Sequence, residues 1–221
     1  MRFLPSLAVT LGVVGATPFE LISKRALGEK RAGDDACPSY LQPGQFEFPH
    51  YITQISAKQP DRAFGQQYNA SVTPGDISAL FALDVPKDRA DANCTLEFLF
   101  PAQDQLKTSY YNYSGPGNFV FTGYLAGSCP DSQTTYNHQP QPDIFPSHPI
   151  HMEPGFAYTV DVGPCTFSAG GCISGKISSN DTSLEFFQDQ DDCPIGLYNT
   201  YSYGLPCPKE YCGNIGVDVI V

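Results

Sequence analysis

The chain has 221 residues, the size of one all-β domain or two small domains. It carries 12 lysine and arginine residues against 23 aspartate and glutamate residues, a formal net charge of −11 at pH 7. This acidic balance argues against nucleic-acid binding, because a phosphate backbone repels such a protein.

Residues 1–16 predict a secretory signal peptide. Arg2 supplies the positive end, residues 3–14 are apolar but too short to span a bilayer, and Ala16 ends a small-residue cleavage site. No second apolar segment of about 18 residues follows, so no membrane span is expected. The expected location is therefore extracellular, either secreted or in the cell wall.

Residues 17–31 form a propeptide-like segment with two dibasic pairs, Lys24-Arg25 and Lys30-Arg31. A late-secretory protease that cuts after such pairs would remove the segment, although the pairs are equally read as solvated charges. Without residues 1–31 the chain keeps seven bases and 21 acids, a net charge of −14.

Two alternating runs within residues 77–101 predict the central pair of an antiparallel β-domain. In residues 77–85 every second residue is apolar, and residues 94–100 repeat the pattern with Thr95 and Glu97 on the opposite face. Period-two alternation is typical of half-buried strands, and a proline follows each run.

The remaining segments also predict short strands separated by turns. Further strands are expected within residues 45–55, 66–72, 118–125, 156–162, 172–177, 183–188 and 195–201, with a long surface loop at 127–154 that has one strand near position 149. Eight or nine short strands without a long helix predict an all-β fold, an antiparallel β-sandwich stabilised by disulfides. We place this domain at residues 32–203 and a disulfide-containing C-terminal tail at 204–221.

Eight cysteines in a secreted chain predict four disulfides. We expect Cys165 to pair with Cys172 across a Gly-Gly turn, and Cys207 with Cys212 across a short loop. The other cysteines are Cys37, Cys94, Cys129 and Cys193, and Cys37 is expected to tie the N-terminus to the last strands. A zinc site is disfavoured, since the chain has no Cys-x-x-Cys pair.

Four sequons predict N-linked glycans on the surface of a secreted chain. Their acceptor residues are Asn69, Asn93, Asn112 and Asn180. At Asn93 the middle residue of the sequon is Cys94, so oxidation of the thiol competes with modification.

Several motifs in fixed order resemble one family. They are Phe-Glu-Phe-Pro-His at 46–50 and the segments 63–71, 77–86, 94–101, 184–189 and 194–198. Together these residues resemble the fungal "But-two C-terminal domain" family over roughly residues 37–201. The resemblance implies a secreted or wall-associated β-rich protein with no established catalytic residues. The tail after Tyr201 and its cysteines depart from that pattern.

Three acids on predicted strands allow an enzymatic alternative. A glycoside hydrolase needs two carboxylates about 5–10 Å apart, and Glu97, Asp161 and Glu185 are the candidates. The ordinary interpretation is that they are solvent-facing residues of half-buried strands. No Gly-x-Ser-x-Gly, His-Glu-x-x-His or phosphate-binding motif supports another catalytic chemistry.

Two polar clusters raise the question of a metal. Asp189, Asp191 and Asp192 form an acidic turn that could hold calcium, but the EF-hand glycine and distal glutamate are missing. His148 and His151, with two residues between them, could share a metal ion, and His138 lies upstream. The proline-rich segment around them offers no third ligand at a recognisable spacing. Hydrated surface residues are the simpler interpretation, so no metal and no cofactor are expected.

Clustered tyrosines point to a carbohydrate-binding surface. Tyr110, Tyr111 and Tyr113 form one group, and aromatic rings bind the apolar C–H faces of sugars. A second group consists of Tyr198, Tyr201 and Tyr203. We therefore predict a non-enzymatic secreted module, structural or carbohydrate-binding, whose partner is wall polysaccharide or an extracellular protein. The alternatives are a secreted hydrolase with paired carboxylates and an effector secreted toward a host.

Overall fold

The computed structural model describes residues 24–25, 36–143 and 148–203. Within these residues the chain has thirteen strands, three short 3-10 helices and no α-helix. The prediction of an all-β, antiparallel, disulfide-bonded fold is thereby confirmed. The segments 1–16 and 204–221, with Cys207 and Cys212, lie outside the described residues, as does most of 17–31. None of the described helices has the length and apolar character needed to cross a membrane.

The strands are short and evenly distributed along the described chain. They are β1 (Lys24–Arg25), β2 (Phe46–Glu47), β3 (Tyr51–Ser56), β4 (Asn69–Val72), β5 (Ile77–Asp84), β6 (Asn93–Phe100), β7 (Tyr111–Ser114), β8 (Asn118–Gly123), β9 (His148–His151), β10 (Phe156–Pro164), β11 (Cys172–Ser178), β12 (Ser183–Phe187) and β13 (Gly196–Ser202).

The strands form three sheets in which every pairing is antiparallel. Sheet A has the order β1-β10-β6-β13-β2, sheet B the order β3-β5-β11-β8-β9, and sheet C the order β4-β12-β7. The expected pairing of the two central strands with each other is wrong. β5 pairs with β3 and β11 in sheet B, whereas β6 pairs with β10 and β13 in sheet A. The connection between them contains the 3-10 helix Lys87–Arg89 and carries the chain from one sheet to the other, so no tight hairpin forms.

One core lies between the inner faces of the three sheets. Phe98 of sheet A, Phe81 of sheet B and Phe186 of sheet C are at most 1% exposed. The Phe186 ring centroid lies 5.4 Å from that of Phe98 and 6.3 Å from that of Phe81. Ring pairs at such distances add to the free energy gained by burial. Sheet C is thus part of the same hydrophobic core as the two larger sheets.

The segment that was expected to be a long surface loop covers the outer face of sheet B. Tyr124 packs with Leu80 and Ile55 beneath this segment. Lys176 of β11 donates a hydrogen bond from Nζ to Gln139 Oε1 at 2.9 Å, and burial lowers the pKa of its ammonium group. The strand expected near position 149 is present as β9.

Three disulfides cross-link the described residues. Cys37 bonds to Cys193, Cys94 to Cys165, and Cys129 to Cys172. The expected Cys165–Cys172 pair is wrong. Cys165 bonds to Cys94 of β6 in sheet A, whereas Cys172, the first residue of β11 in sheet B, bonds to Cys129. The Cys37 bridge does tie the start of the domain to the residues before β13, as expected.

Candidate functional site

The outer face of sheet C is polar and accessible. Burial alternates along β4, β7 and β12, so Ala70, Val72, Leu184 and Phe186 point into the core. The residues between them point outward and are half-buried or exposed. We call this surface the sheet C face; it consists of Asn69, Ser71, Tyr110, Asn112, Ser114, Ser183, Glu185 and Phe187.

A hydrogen-bonded row crosses the sheet C face from one edge strand to the other. Asn69 Nδ2 donates to Tyr110 Oη at 2.6 Å and to Glu185 Oε1 at 3.1 Å. Asn112 Nδ2 donates to Glu185 Oε2 at 3.5 Å. The strand register explains the row, because Glu185 of the central strand lies opposite Asn112 on β7 and opposite Ser71 on β4. One carboxylate is therefore bridged by two side-chain amides.

The backbone fixes the position of Tyr110 at the start of β7. Its carbonyl accepts the Phe187 N–H at 3.2 Å, and the neighbouring Ser109 hydroxyl donates to the Phe187 carbonyl at 2.5 Å. The ring remains 45% exposed. An accessible ring beside amide and carboxylate groups combines an apolar surface with directional hydrogen-bonding groups, the combination that sugars require.

The three clustered tyrosines do not share one face. Tyr111 and Tyr113 turn inward, where their ring centroids lie 4.9 and 5.5 Å from that of Phe100. Burial raises the pKa of both phenols, and the Tyr113 hydroxyl donates to the Met152 carbonyl at 3.0 Å. Only Tyr110 of this group lies on the sheet C face. The alternation of the sequence already carried this signal, since residues one position apart in a strand face opposite ways.

The second tyrosine group is also divided by the fold. Tyr198 and Tyr201 are buried, whereas Tyr203 is 54% exposed and accepts a hydrogen bond from Arg89 Nη1 at 2.7 Å. The sequence analysis missed Tyr68, which precedes β4 and is 87% exposed. The strand predicted within residues 66–72 would place Tyr68 on the buried face with Ala70 and Val72, but the observed strand begins at Asn69, so Tyr68 lies outside it.

The three candidate acids are distributed over two sheets. Glu97 on β6 lies opposite Thr159 of β10, whereas Asp161 follows a register shift and lies opposite Leu96. Residues directly opposite each other point to the same face, and Leu96 and Glu97 point to opposite faces, so the register does not place these two acids on one face. Glu185 belongs to sheet C, where both of its carboxylate oxygens accept hydrogen bonds from amides. The strand register therefore places no two of the three acids opposite each other.

The two polar clusters that were considered as metal sites lie in different parts of the described structure. In the acidic turn the Asp191 N–H donates to Asp189 Oδ1 at 3.1 Å, and Asp192 adopts a positive φ of 51°. His138 contacts the Thr135 hydroxyl at 3.3 Å, whereas His151 contacts Asn118 at 3.4 Å. Over residues 36–143 and 148–203, no three His, Cys, Asp or Glu side chains come together as metal ligands.

The four sequons occupy different environments. Asn69 and Asn112 both lie on the sheet C face, on either side of Glu185. Asn93 is half-buried at the start of β6, beside the bridged Cys94. Asn180 is exposed in the turn before β12, at the rim of a shallow depression of about 280 Å³ next to β8 and β9.

The chain matches one protein family. The family model described as "Ubiquitin 3 binding protein But2 C-terminal domain" matches residues 47–192, which is 146 of the 221 residues. The matched segment contains every strand of sheet C. No curated protein matches the chain.

Proposed function

The chain belongs to the But2 C-terminal domain family, and we propose that it is a secreted, non-enzymatic β-sandwich that binds polysaccharide through the sheet C face. The observation that carries this proposal is the row Tyr110–Asn69–Glu185–Asn112 on an accessible surface. The row joins an exposed ring to hydrogen-bonding groups of both kinds.

Secretion is supported by independent features of the chain. The three disulfides fit a compartment that oxidises thiols, whereas thiols in the cytosol are kept reduced. The predicted signal peptide and the four sequons fit passage through the secretory pathway. Release into the extracellular space or retention in the wall is the expected outcome.

The composition of the sheet C face favours a neutral or cationic polymer. Glu185 accepts hydrogen bonds from hydroxyl or ammonium groups, and an anionic polymer would meet a domain of net charge −14. The face is the outer surface of a three-stranded sheet, so each site should bind a single sugar unit weakly. Repeated units along a polysaccharide would retain many copies of the protein at once.

A sedimentation assay tests this function. The folded protein, produced without N-linked glycans, is mixed with insoluble chitin, β-glucan or cellulose, and the bound fraction is measured. We expect retention on one polymer and loss of retention in Tyr110→Ala. Retention should be unchanged in Tyr136→Ala, which removes an exposed tyrosine in the segment that covers the outer face of sheet B. Tyr111 and Tyr113 are poor targets because they pack against Phe100. Retention of the folded wild type on none of the polymers would refute the proposal.

The second candidate function is hydrolysis of wall polysaccharide by Glu97 and Asp161. Glu97 and Asp161 are the two candidate acids that share a sheet, whereas Glu185 belongs to sheet C, and hydrolysis would need a substrate that reaches both carboxylates. Release of reducing sugar by the wild type, lost in Glu97→Gln and Asp161→Asn, would support an enzyme. If neither binding nor hydrolysis is found, a protein partner becomes the next class to test, since the family description itself names a binding protein.

A further inference from the structure

Two sequon asparagines on the sheet C face differ in how many amide hydrogens they use. Asn69 Nδ2 makes two hydrogen bonds, one to Tyr110 Oη and one to Glu185 Oε1, so both of its hydrogens are engaged. Asn112 Nδ2 makes one hydrogen bond, to Glu185 Oε2. Glycosylation therefore has different structural consequences at the two positions.

N-glycosylation changes the hydrogen count of the amide. A bond forms between Nδ2 and C1 of the first sugar, the bond from C1 to the diphosphate of the lipid-linked donor breaks, and one proton leaves Nδ2. The modified amide keeps a single N–H hydrogen. Glycosylated Asn112 can still donate to Glu185, whereas glycosylated Asn69 must give up either Tyr110 or Glu185.

We propose that N-glycosylation of Asn69 inactivates the sheet C face, so that the face binds polysaccharide only when Asn69 is unmodified. The modification breaks the Tyr110–Asn69–Glu185 row, which is the observation that carries the proposed function. Asn112 carries a glycan without breaking the row. This inference deepens the proposed function and rests on it.

Substitutions of Ser71 separate the modification from the asparagine itself. Ser71→Ala removes the sequon and leaves the Asn69 amide in place, whereas Ser71→Thr keeps the sequon. Asn180→Gln removes an exposed sequon outside the sheet C face and serves as the control for loss of a glycan elsewhere. All variants are secreted from one glycosylating host, and glycopeptide mass spectrometry measures the occupancy of Asn69. Thermal unfolding checks that each variant is folded.

Retention on chitin, β-glucan and cellulose is then compared between these proteins. We expect Ser71→Ala to bind its polymer at least about ten-fold more tightly than the Asn69-glycosylated wild type, the change that about 1.4 kcal/mol produces. Asn180→Gln should bind like the wild type, and Ser71→Thr, which keeps the sequon of Asn69, should not gain the affinity of Ser71→Ala.

Three results would overturn the inference. Equal retention of Ser71→Ala and the Asn69-glycosylated wild type would refute the switch and leave the proposed function standing. Absence of a glycan on Asn69 in the secreted wild type would show that Asn69 is not a modification site. Failure of the folded Ser71→Ala protein to bind any of the polymers would refute the proposed function, and the inference with it.

Discussion

Phe186 and Phe187 are consecutive residues of β12 whose side chains point to opposite faces of sheet C. Phe186 is 1% exposed and its ring lies between the rings of Phe98 and Phe81, whereas Phe187 lies opposite Asn69 on the sheet C face. Truncation of a buried phenylalanine to alanine costs about 3–5 kcal/mol, because transfer energy is lost and a cavity is left. Phe186→Ala should therefore lower the free energy of unfolding by about 4 kcal/mol.

The same truncation at Phe187 serves as the matched control. Phe187→Ala removes a half-buried ring, so we expect a loss of about 1 kcal/mol. Urea unfolding followed by far-ultraviolet circular dichroism measures both values, with unchanged m-values showing that the denatured state is comparable. In a thermal scan the Phe186 variant should melt roughly 8–16 °C below the wild type. Equal losses at the two positions would refute the assignment of faces on which the candidate site depends.

Three further predictions concern backbone geometry, pH and disulfides. Gly117→Ala should lower the free energy of unfolding by roughly 3 kcal/mol or more, because φ is 91° and a Cβ would clash with the Met152 carbonyl oxygen. Gly127→Ala, where φ is 79° but the space around a Cβ is open, should lower it by only about 1–2 kcal/mol in the same urea assay. The Ser56 hydroxyl, which donates to Asp76 at 2.6 Å, is the main cause that lowers the pKa of that carboxyl. The ionised Asp76 therefore stabilises the fold at pH values above the ordinary aspartate pKa, and this contribution is lost as the pH falls through the lowered pKa of the folded protein. The melting-temperature gap between wild type and Asp76→Asn should narrow below about pH 4, and a constant gap would contradict this. Excess dithiothreitol should lower the melting temperature strongly, because the bridges close sequence separations of 156, 71 and 43 residues and each contributes about 2–4 kcal/mol; an unchanged value with thiols shown to be free would refute the bridges.

The local pattern of the sequence predicts strands better than it predicts their partners. Alternation in residues 77–85 and 94–100 predicts β5 and β6 because each has one apolar face toward the core. The same pattern cannot show whether two such strands pair in one sheet or face each other from two sheets. That choice depends on pairing with β11 and β13, whose residues lie at least 88 positions (172 − 84) further along the chain than their partners.

The disulfides and the candidate site depend on similarly distant contacts. Cys165 and Cys172 are close in sequence, yet each bonds to a cysteine that lies closer in space. Asn69 and Glu185 are separated by 116 residues, so no spacing in the sequence predicts their hydrogen bond. The tyrosine group at positions 110, 111 and 113 is visible in the sequence. The separation of Tyr110 from Tyr111 and Tyr113 follows from strand alternation.

The most direct test of polysaccharide binding by the sheet C face is a titration observed by ¹⁵N NMR. Soluble oligosaccharides of chitin, β-glucan and cellulose are added to folded Ser71→Ala protein, whose Asn69 amide is unmodified. Binding at the proposed site predicts that the side-chain amide signals of Asn69 and Asn112 and the backbone signals of β12 shift together and saturate for one sugar. Saturable shifts confined to another surface, such as the depression beside β9, or no shifts with any sugar would contradict the account.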